Sequence, residues 1–239
     1  VSDGENLYIG GIVQHIEAAG IHSGDSAAVF PPYKSKPEIL AEMRKWTLAL
    51  ARRLQIKGLM NIQFAEKDGK LYIIEVNPRG SRTVPFISKS SGVDLVEAAV
   101  KVWNGIDLHE QGLVALGESI GEGHSICGWA IKEAVFSFDR FLDVDPALGP
   151  EMRSTGEAVG YGATFGEAYA KSQASAGNRL PRKGRVIISV NDKDRKTIAP
   201  IAKELRELGF EIIATRGTAR DLYKEGILTG IVNKVHEGH

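Results

Sequence analysis

"LMNIQFAEKDGKLYIIEVNPRGSRTVPF", Leu59 to Phe86, decides how the first part of the chain folds. Two apolar runs flank "EKDG", and Asp68-Gly69 is a hairpin turn signal. Each run carries a polar residue where a core residue would stand, Gln63 in the first and Glu75 in the second. A bare carboxylate in a core is costly, so it has to be paired or hold a cation. Side chains alternate across a sheet with period two. A loop of Asp68, Gly69 and Lys70 sets Lys67 opposite Leu71, Gln63 opposite Glu75 and Asn61 opposite Asn77. A two-residue loop sets Gln63 opposite Ile74 instead, so the expectation is an odd-length connection. In that register Gln63, Glu75 and Asn77 form a cluster of hard oxygens of the kind Mg²⁺ takes. Arg79 and Arg82, just beyond, offer planar bidentate charge to a phosphate or carboxylate. A plain Glu75–arginine ion pair at a strand end fits the same residues.

Working outward, Ser35 with Glu38 reads as a capping box. It opens a helix on which Ile39, Met43, Trp46, Leu50 and Leu54 recur at helical spacing. Upstream, an Asp3-Gly4 turn and the alternation of Leu7 and Ile9 predict β structure. Downstream, Asp94 and Glu97 cap a helix that stops at Gly105, and residues 106–126 are glycine-rich and irregular. "CGWAIKEAVFSF" reads as a strand, and "DVDPALGPEMRSTGEAVGYG" as extended loop with turns. Thr164 and Glu167 cap a helix that reaches about Ser175. "SAGNRLPRKG" is the best boundary signal. Beyond it come a strand "RVIISV", a helix through Ile198, Ile201, Leu205 and Leu208, and a strand "EIIAT", a βαβ unit that implies a parallel sheet. Two strands and two helices are expected between Lys183 and His239. Trp46, Trp103 and Cys127 read as core.

Composition narrows the function classes. Thirty basic residues cancel thirty acidic ones, which leaves no electrostatic footprint for nucleic acid or a membrane surface. The single cysteine excludes an intrachain disulfide and a cysteine zinc site, and a reducing cytoplasm is the expected home. No apolar run approaches the ~20 residues of a membrane span. The sequence opens on Val1, without a signal peptide, and reads as a piece of a longer protein. His15, His22, His109, His124 and the terminal "HEGH" lack the spacing of a zincin helix. "ATRGT" follows a strand and opens a helix, so Thr215, Gly217 and Thr218 can face a phosphate. Arg195 starts the preceding helix and Lys234 follows the next apolar stretch. An ordinary strand–helix turn explains the same pattern.

"QFAEKDGKLYIIEVNPRGSRTVPF" resembles the metal-binding hairpin of the ATP-grasp superfamily. With "GGIVQHIEAAGIHSGDS", "GPEMRSTGE" and "ISVNDKDRKTIAPIAKELRELGFEIIATRGTA", the chain is similar throughout to the carbamoyl-phosphate synthetase large-chain family. The resemblance implies a mixed α/β and α+β fold: a partial ATP-grasp domain, with an antiparallel sheet and helices, then a partial doubly wound parallel domain similar to methylglyoxal synthase. It divides the chain into 1–105, the subdomain with the metal and ATP site; 106–183, the remainder of that unit and a linker; and 184–239, the start of the allosteric domain. It implies ATP-dependent phosphorylation of carbamate, for pyrimidine and arginine biosynthesis, with Mg²⁺ or Mn²⁺ on Gln63, Glu75 and Asn77. Arg82 would steady the transferring phosphoryl group and carbamate, with Arg79 in the same motif. Gly20, Ile21, His22 and Ser23 would touch the nucleotide, and His15 and Ser26 would lie near K⁺. Glu17, Asp25 and Glu133 match acidic positions that bind ornithine in some members. Arg195, where the family often has lysine, with Thr215, Thr218 and Lys234 would bind a UMP or IMP effector. A glutaminase small chain and a homo-oligomer of heterodimers are the implied partners, and the 239-residue chain alone is expected to be inactive. Another ATP-grasp ligase or carboxylase, and a non-catalytic regulatory or assembly module, are the alternatives.

Overall fold

A computed structural model describes residues 1–123, 126–140, 143–192 and 194–234, so His124 and "HEGH" lie outside the described residues. The chain forms two compact units, Val1–Arg179 and Leu180–His239.

In the first unit, short strands β1 (Ser2–Asp3) and β2 (Leu7–Ile9) turn back on each other at Gly4, whose φ of 105° suits the tight reversal. Strands β3 (Gln14–His15) and β4 (Ala28–Phe30) follow, then helix α1 (Pro37–Arg53) and strand β5 (Lys57–Gly58). Next come β6 (Asn61–Lys67), β7 (Lys70–Asn77), α2 (Thr83–Ser91), α3 (Leu95–Trp103) and β8 (Ile120–Glu122). Strands β9 (Trp129–Val135) and β10 (Gly156–Gly162) and helix α4 (Phe165–Ser175) complete the unit. One sheet has the order β5-β1-β2-β8 and another β10-β9-β4-β3, while β6 and β7 form a two-stranded ribbon. Tyr8, Phe30, Phe86, Ile87, Leu95 and Leu108 belong to the main core cluster.

Several local expectations need correction. The first helix begins at Pro37, with Lys36 at the N-cap and no side-chain cap, so Ser35 does not cap it. Proline supplies the helical φ and lacks the N–H that a cap would satisfy, which makes it the natural first residue. Leu54 falls outside that helix and is exposed. Helix α2 occupies a stretch read only as the end of a strand, and it stops at Gly92 with φ 76°. The caps at Asp94 and Thr164 do form, accepting from Val96 and Glu97 and from Glu167 respectively. Residues 156–162, read as loop, are a strand paired along its whole length with β9. Their glycines are tertiary in origin, since a Cβ on Gly160 would lie 2.3 Å from the Ala168 carbonyl and from the Ser172 amide of α4. Trp103 is 63% exposed rather than core, because its ring covers Gly58 and its indole N–H donates to the Lys57 carbonyl. Cys127 is an exposed free thiol, not a core residue.

The second unit is β11 (Arg185–Ile188), α5 (Arg195–Glu207), β12 (Glu211–Thr215), α6 (Arg216–Lys224) and β13 (Gly230–Val232). The strands are parallel in the order β11-β12-β13, one strand more than expected. Ile188, Ile212, Ala214, Ala219 and Leu222 form its core with Ala202 of α5. Ile201 and Leu208, expected in that core, are 51% and 70% exposed. The face of α5 is instead carried by Ile198, Ala199, Ala202 and Leu205.

Candidate functional site

The ribbon β6–β7 reaches the expected opposition by an unexpected route. Its connection is a two-residue turn, with Lys67 opposite Lys70 and Phe64 opposite Ile73. That parity would place Gln63 against Ile74. A β-bulge between Gln63 and Phe64 absorbs one residue of β7, so that Gln63 opposes Glu75, Ile62 opposes Val76 and Asn61 opposes Asn77. The odd-length loop is therefore wrong, and the bulge restores what it was invoked to supply. Asp68 takes a positive φ of 53° in the turn, beside Gly69 at 72°.

The side chains converge. Glu75 Oε1 accepts the Gln63 amide at 2.6 Å and the Asn77 amide at 2.8 Å. Gln63 also donates to the Ser23 hydroxyl at 2.9 Å, which ties the ribbon to the loop after β3. Beyond the strand, Arg79 donates to Asn77 Oδ1 at 3.3 Å and to the Gly80 carbonyl at 3.0 Å. Arg82 donates to the Ser154 hydroxyl at 3.2 Å. Gln63, Glu75, Asn77, Arg79 and Arg82 line a cavity of about 740 Å³, with Gly20, Ile21, His22 and Ser23 on the facing loop and His15, Glu17, Lys132 and Glu157 along its wall. His22 Nδ1 accepts from the Gly24 amide at 3.0 Å, which holds that loop's turn.

A divalent cation is consistent with this donor set. One carboxylate and two side-chain amides present hard oxygens at one point once each amide turns its oxygen inward. The remaining positions fall to water or a ligand's phosphate, which is the usual arrangement for Mg²⁺. Among the described residues no three His, Cys, Asp or Glu side chains converge on one point, so the amides are integral to any such site.

The acidic residues separate into two environments. Asp25 is buried, and its oxygens accept the Arg153 and Ser154 amides at 2.8 Å each. Burial raises its carboxyl, but those amide bonds outweigh burial and hold it below the ordinary carboxylate range. Glu17 accepts the Ala27 amide at 2.7 Å. Glu133 is buried on β9, and burial together with the Glu17 charge pushes its pKa up to about 7. Glu133 Oε2 and Glu157 Oε1 are buried without a hydrogen-bond partner among the described residues. Burial, and then the Lys132 charge, lower the pKa of His15. Lys132, Ser154 and Glu157 were not singled out from the sequence. A lysine beside a glutamate inside an apolar strand run is the same signal that exposed Glu75.

In the second unit, Thr215 and Thr218 are buried, with hydroxyls 3.3 Å apart where β12 meets α6. Thr215 also donates to Ser189 at 3.4 Å, and Thr218 accepts the Val190 amide at 3.4 Å. Arg195 reaches over this turn, since a Cβ on Gly217 would lie 2.7 Å from its Nη2. It is held there by Asp192 at 2.5 Å and Asp221 at 3.3 Å. Val232 pairs with Thr215, so Lys234, two residues on, follows the same end of the sheet.

Residues 5–111 match the family described as "Carbamoyl-phosphate synthase L chain, ATP binding domain", and residues 197–239 match "MGS-like domain". Over 238 residues the chain is 50% identical to the carbamoyl phosphate synthase large chains of Pasteurella multocida (strain Pm70) and of Neisseria meningitidis serogroup B (strain ATCC BAA-335 / MC58). It covers 22% of each of those proteins, and they cover 100% of this chain. Among solved structures, the K. lactis urea amidolyase aligns with a TM-score of 0.55 at 15% identity, over 73% of this chain and 12% of that one. That likeness concerns the fold alone. Residues 5–111 are thus similar to the carbamoyl-phosphate synthase L chain, ATP binding domain and residues 197–239 to the MGS-like domain, and the whole chain resembles a segment spanning 22% of a carbamoyl phosphate synthase large chain.

Proposed function

We propose that residues 1–179 supply the nucleotide and metal face of a site that phosphorylates carbamate with ATP, as part of a longer carbamoyl phosphate synthase. The observation that carries this reading is the convergence of Gln63 and Asn77 on Glu75, bonded to Ser23 across the cavity. Gln63, Glu75 and Asn77 would hold Mg²⁺ or Mn²⁺, which, when bound, neutralises phosphate charge. Phosphoryl transfer asks the protein mainly for positioning and charge neutralisation. Arg82, steadied by Ser154, and Arg79, steadied by Asn77, meet the charge that develops on the transferred group. The loop Gly20–Ser23 would border the nucleotide, and His15 and Ser26 would help to hold K⁺. The transferred phosphoryl goes from ATP to the carbamate oxygen, releasing ADP and carbamoyl phosphate. No side-chain nucleophile is required.

Residues 184–239 are read as the start of an effector domain. Arg195, Thr215, Thr218 and Lys234 would bind the phosphate of a nucleotide such as UMP or IMP. Glu17 and Glu133 would face an amino-acid effector of the ornithine type, whereas both Asp25 oxygens are engaged by backbone amides. A glutaminase small chain, a homo-oligomeric assembly and roles in pyrimidine and arginine biosynthesis belong to the same reading. No helix among the described residues is long and apolar enough to cross a membrane, and a cytoplasmic enzyme is proposed.

The test is Glu75→Gln in the full-length protein, assayed in reverse as ATP formed from carbamoyl phosphate and ADP. A loss of about a hundredfold or more is expected, in line with removing a metal-bound carboxylate. A rate equal to that of the unmodified protein would reject the site.

A further inference from the structure

Two bonds meet at Ser23. Its hydroxyl accepts the Gln63 amide at 2.9 Å, and its carbonyl accepts the Lys132 ammonium at 3.3 Å. Lys132 stands in the middle of β9, is 2% exposed and reaches the cavity wall. An ammonium buried so deeply carries a large desolvation cost. Burial lowers its pKa, against the attraction of Glu157, Glu133 and Glu17. None of the ion pairs among the described residues includes it. Its hydrogen bond lands on the loop that touches the ribbon. Residues of that loop also anchor the arginine side, since Ser154 donates to the Gly24 carbonyl and receives Arg82. The acid end and the arginine end of the cavity therefore both lean on residues 22–26.

We infer that Lys132 is a positioning residue of the proposed site, fixing the Ser23 carbonyl so that the Ser23 hydroxyl holds Gln63 beside Glu75. The inference rests on the metal-site reading above. A lysine that only balanced buried acids would change stability without a change specific to the metal.

The experiment titrates ADP into the full-length protein with and without Mn²⁺, for Lys132→Met, Lys132→Arg, Ser23→Ala and Glu75→Gln. Hydrogen bonds to charged or buried groups set the scale. Lys132→Met should weaken Mn²⁺-dependent binding about tenfold, with metal-free binding changed less than about twofold, and Ser23→Ala, on the loop that borders the nucleotide, should weaken Mn²⁺-dependent binding at least as much. Lys132→Arg, which keeps charge and donor, should stay within about threefold of the unmodified protein. If Glu75→Gln weakens Mn²⁺-dependent binding while Lys132→Met and Ser23→Ala leave it unchanged, the lysine's role is overturned and the site stands. If Glu75→Gln itself binds as well as the unmodified protein, the site reading falls and takes the lysine's role with it. Should Lys132→Met fail to fold, Lys132→Gln, whose shorter polar side chain falls short of the Ser23 carbonyl, is read in the same way.

Discussion

Two antiparallel pairs in the first unit follow opposite strategies. The β9–β10 pair runs without irregularity, and all of β9 from Ala130 to Ala134 is buried. It discards side chains on β10 so that α4 can sit on the bare backbone of Gly160 and Gly162. The β6–β7 ribbon keeps its side chains, leaves Tyr72, Ile73 and Ile74 exposed, and breaks its own ladder with a bulge. The first pair is a scaffold in which backbone approach is the stabilising contact. The second is a display surface, where register matters and burial does not.

The largest effect should separate them at once. Gly160→Ala places a methyl 2.3 Å from α4 backbone, and no flexible side chain can give way. Destabilisation of about 2–4 kcal/mol is expected in urea titrations. A neutral result would mean that the glycine seam carries no packing constraint.

Next is Glu133, inside the scaffold. Its carboxyl rises from an ordinary 4.5 to about 7, so folding favours the protonated form. Its favourable contribution is complete below about pH 4.5 and is lost as pH rises through 7. Glu133→Gln should therefore match the unmodified protein near pH 4.5 and exceed it by about 1–3 kcal/mol at pH 8. A difference independent of pH would break the argument. Thr164→Ala removes the α4 cap and should cost about 1 kcal/mol, read as a lowered unfolding midpoint. The smallest effect belongs to the ribbon, where Glu75→Gln should move stability by less than about 0.5 kcal/mol. A larger loss would make Glu75 part of the scaffold rather than of the surface it displays.

The sequence was most legible where one side chain does a local job. Asp94 and Thr164 cap because their oxygens reach amides two or three residues on. Ser35 misled because Pro37 had already settled the helix start without a cap. The opposition of Gln63 and Glu75 was readable from alternation, yet the turn length was not, since turn and bulge compensate within the same ribbon. Strand β10 was illegible for a tertiary reason, as its glycines answer to a helix that follows in sequence. Ile201, on the outer side of α5, and Leu208, just past its end, lay on the right periodicity but are left largely exposed. The reach of Lys132 to Ser23 spans 109 residues and leaves no local trace beyond a charge in an apolar run.

The bulge has a consequence for solubility. A two-stranded ribbon has an unpaired edge on each side, and such edges recruit strands from other molecules. On β7 the bulge interrupts the even row of amides and carbonyls that a foreign strand would need, next to the exposed isoleucines at 73 and 74. At the tip, Lys67 faces Lys70, a like-charge pair that costs ribbon stability and repels a second copy laid edge to edge. The distortion that brings a glutamine to a glutamate thereby also discourages aggregation of the strand that carries them.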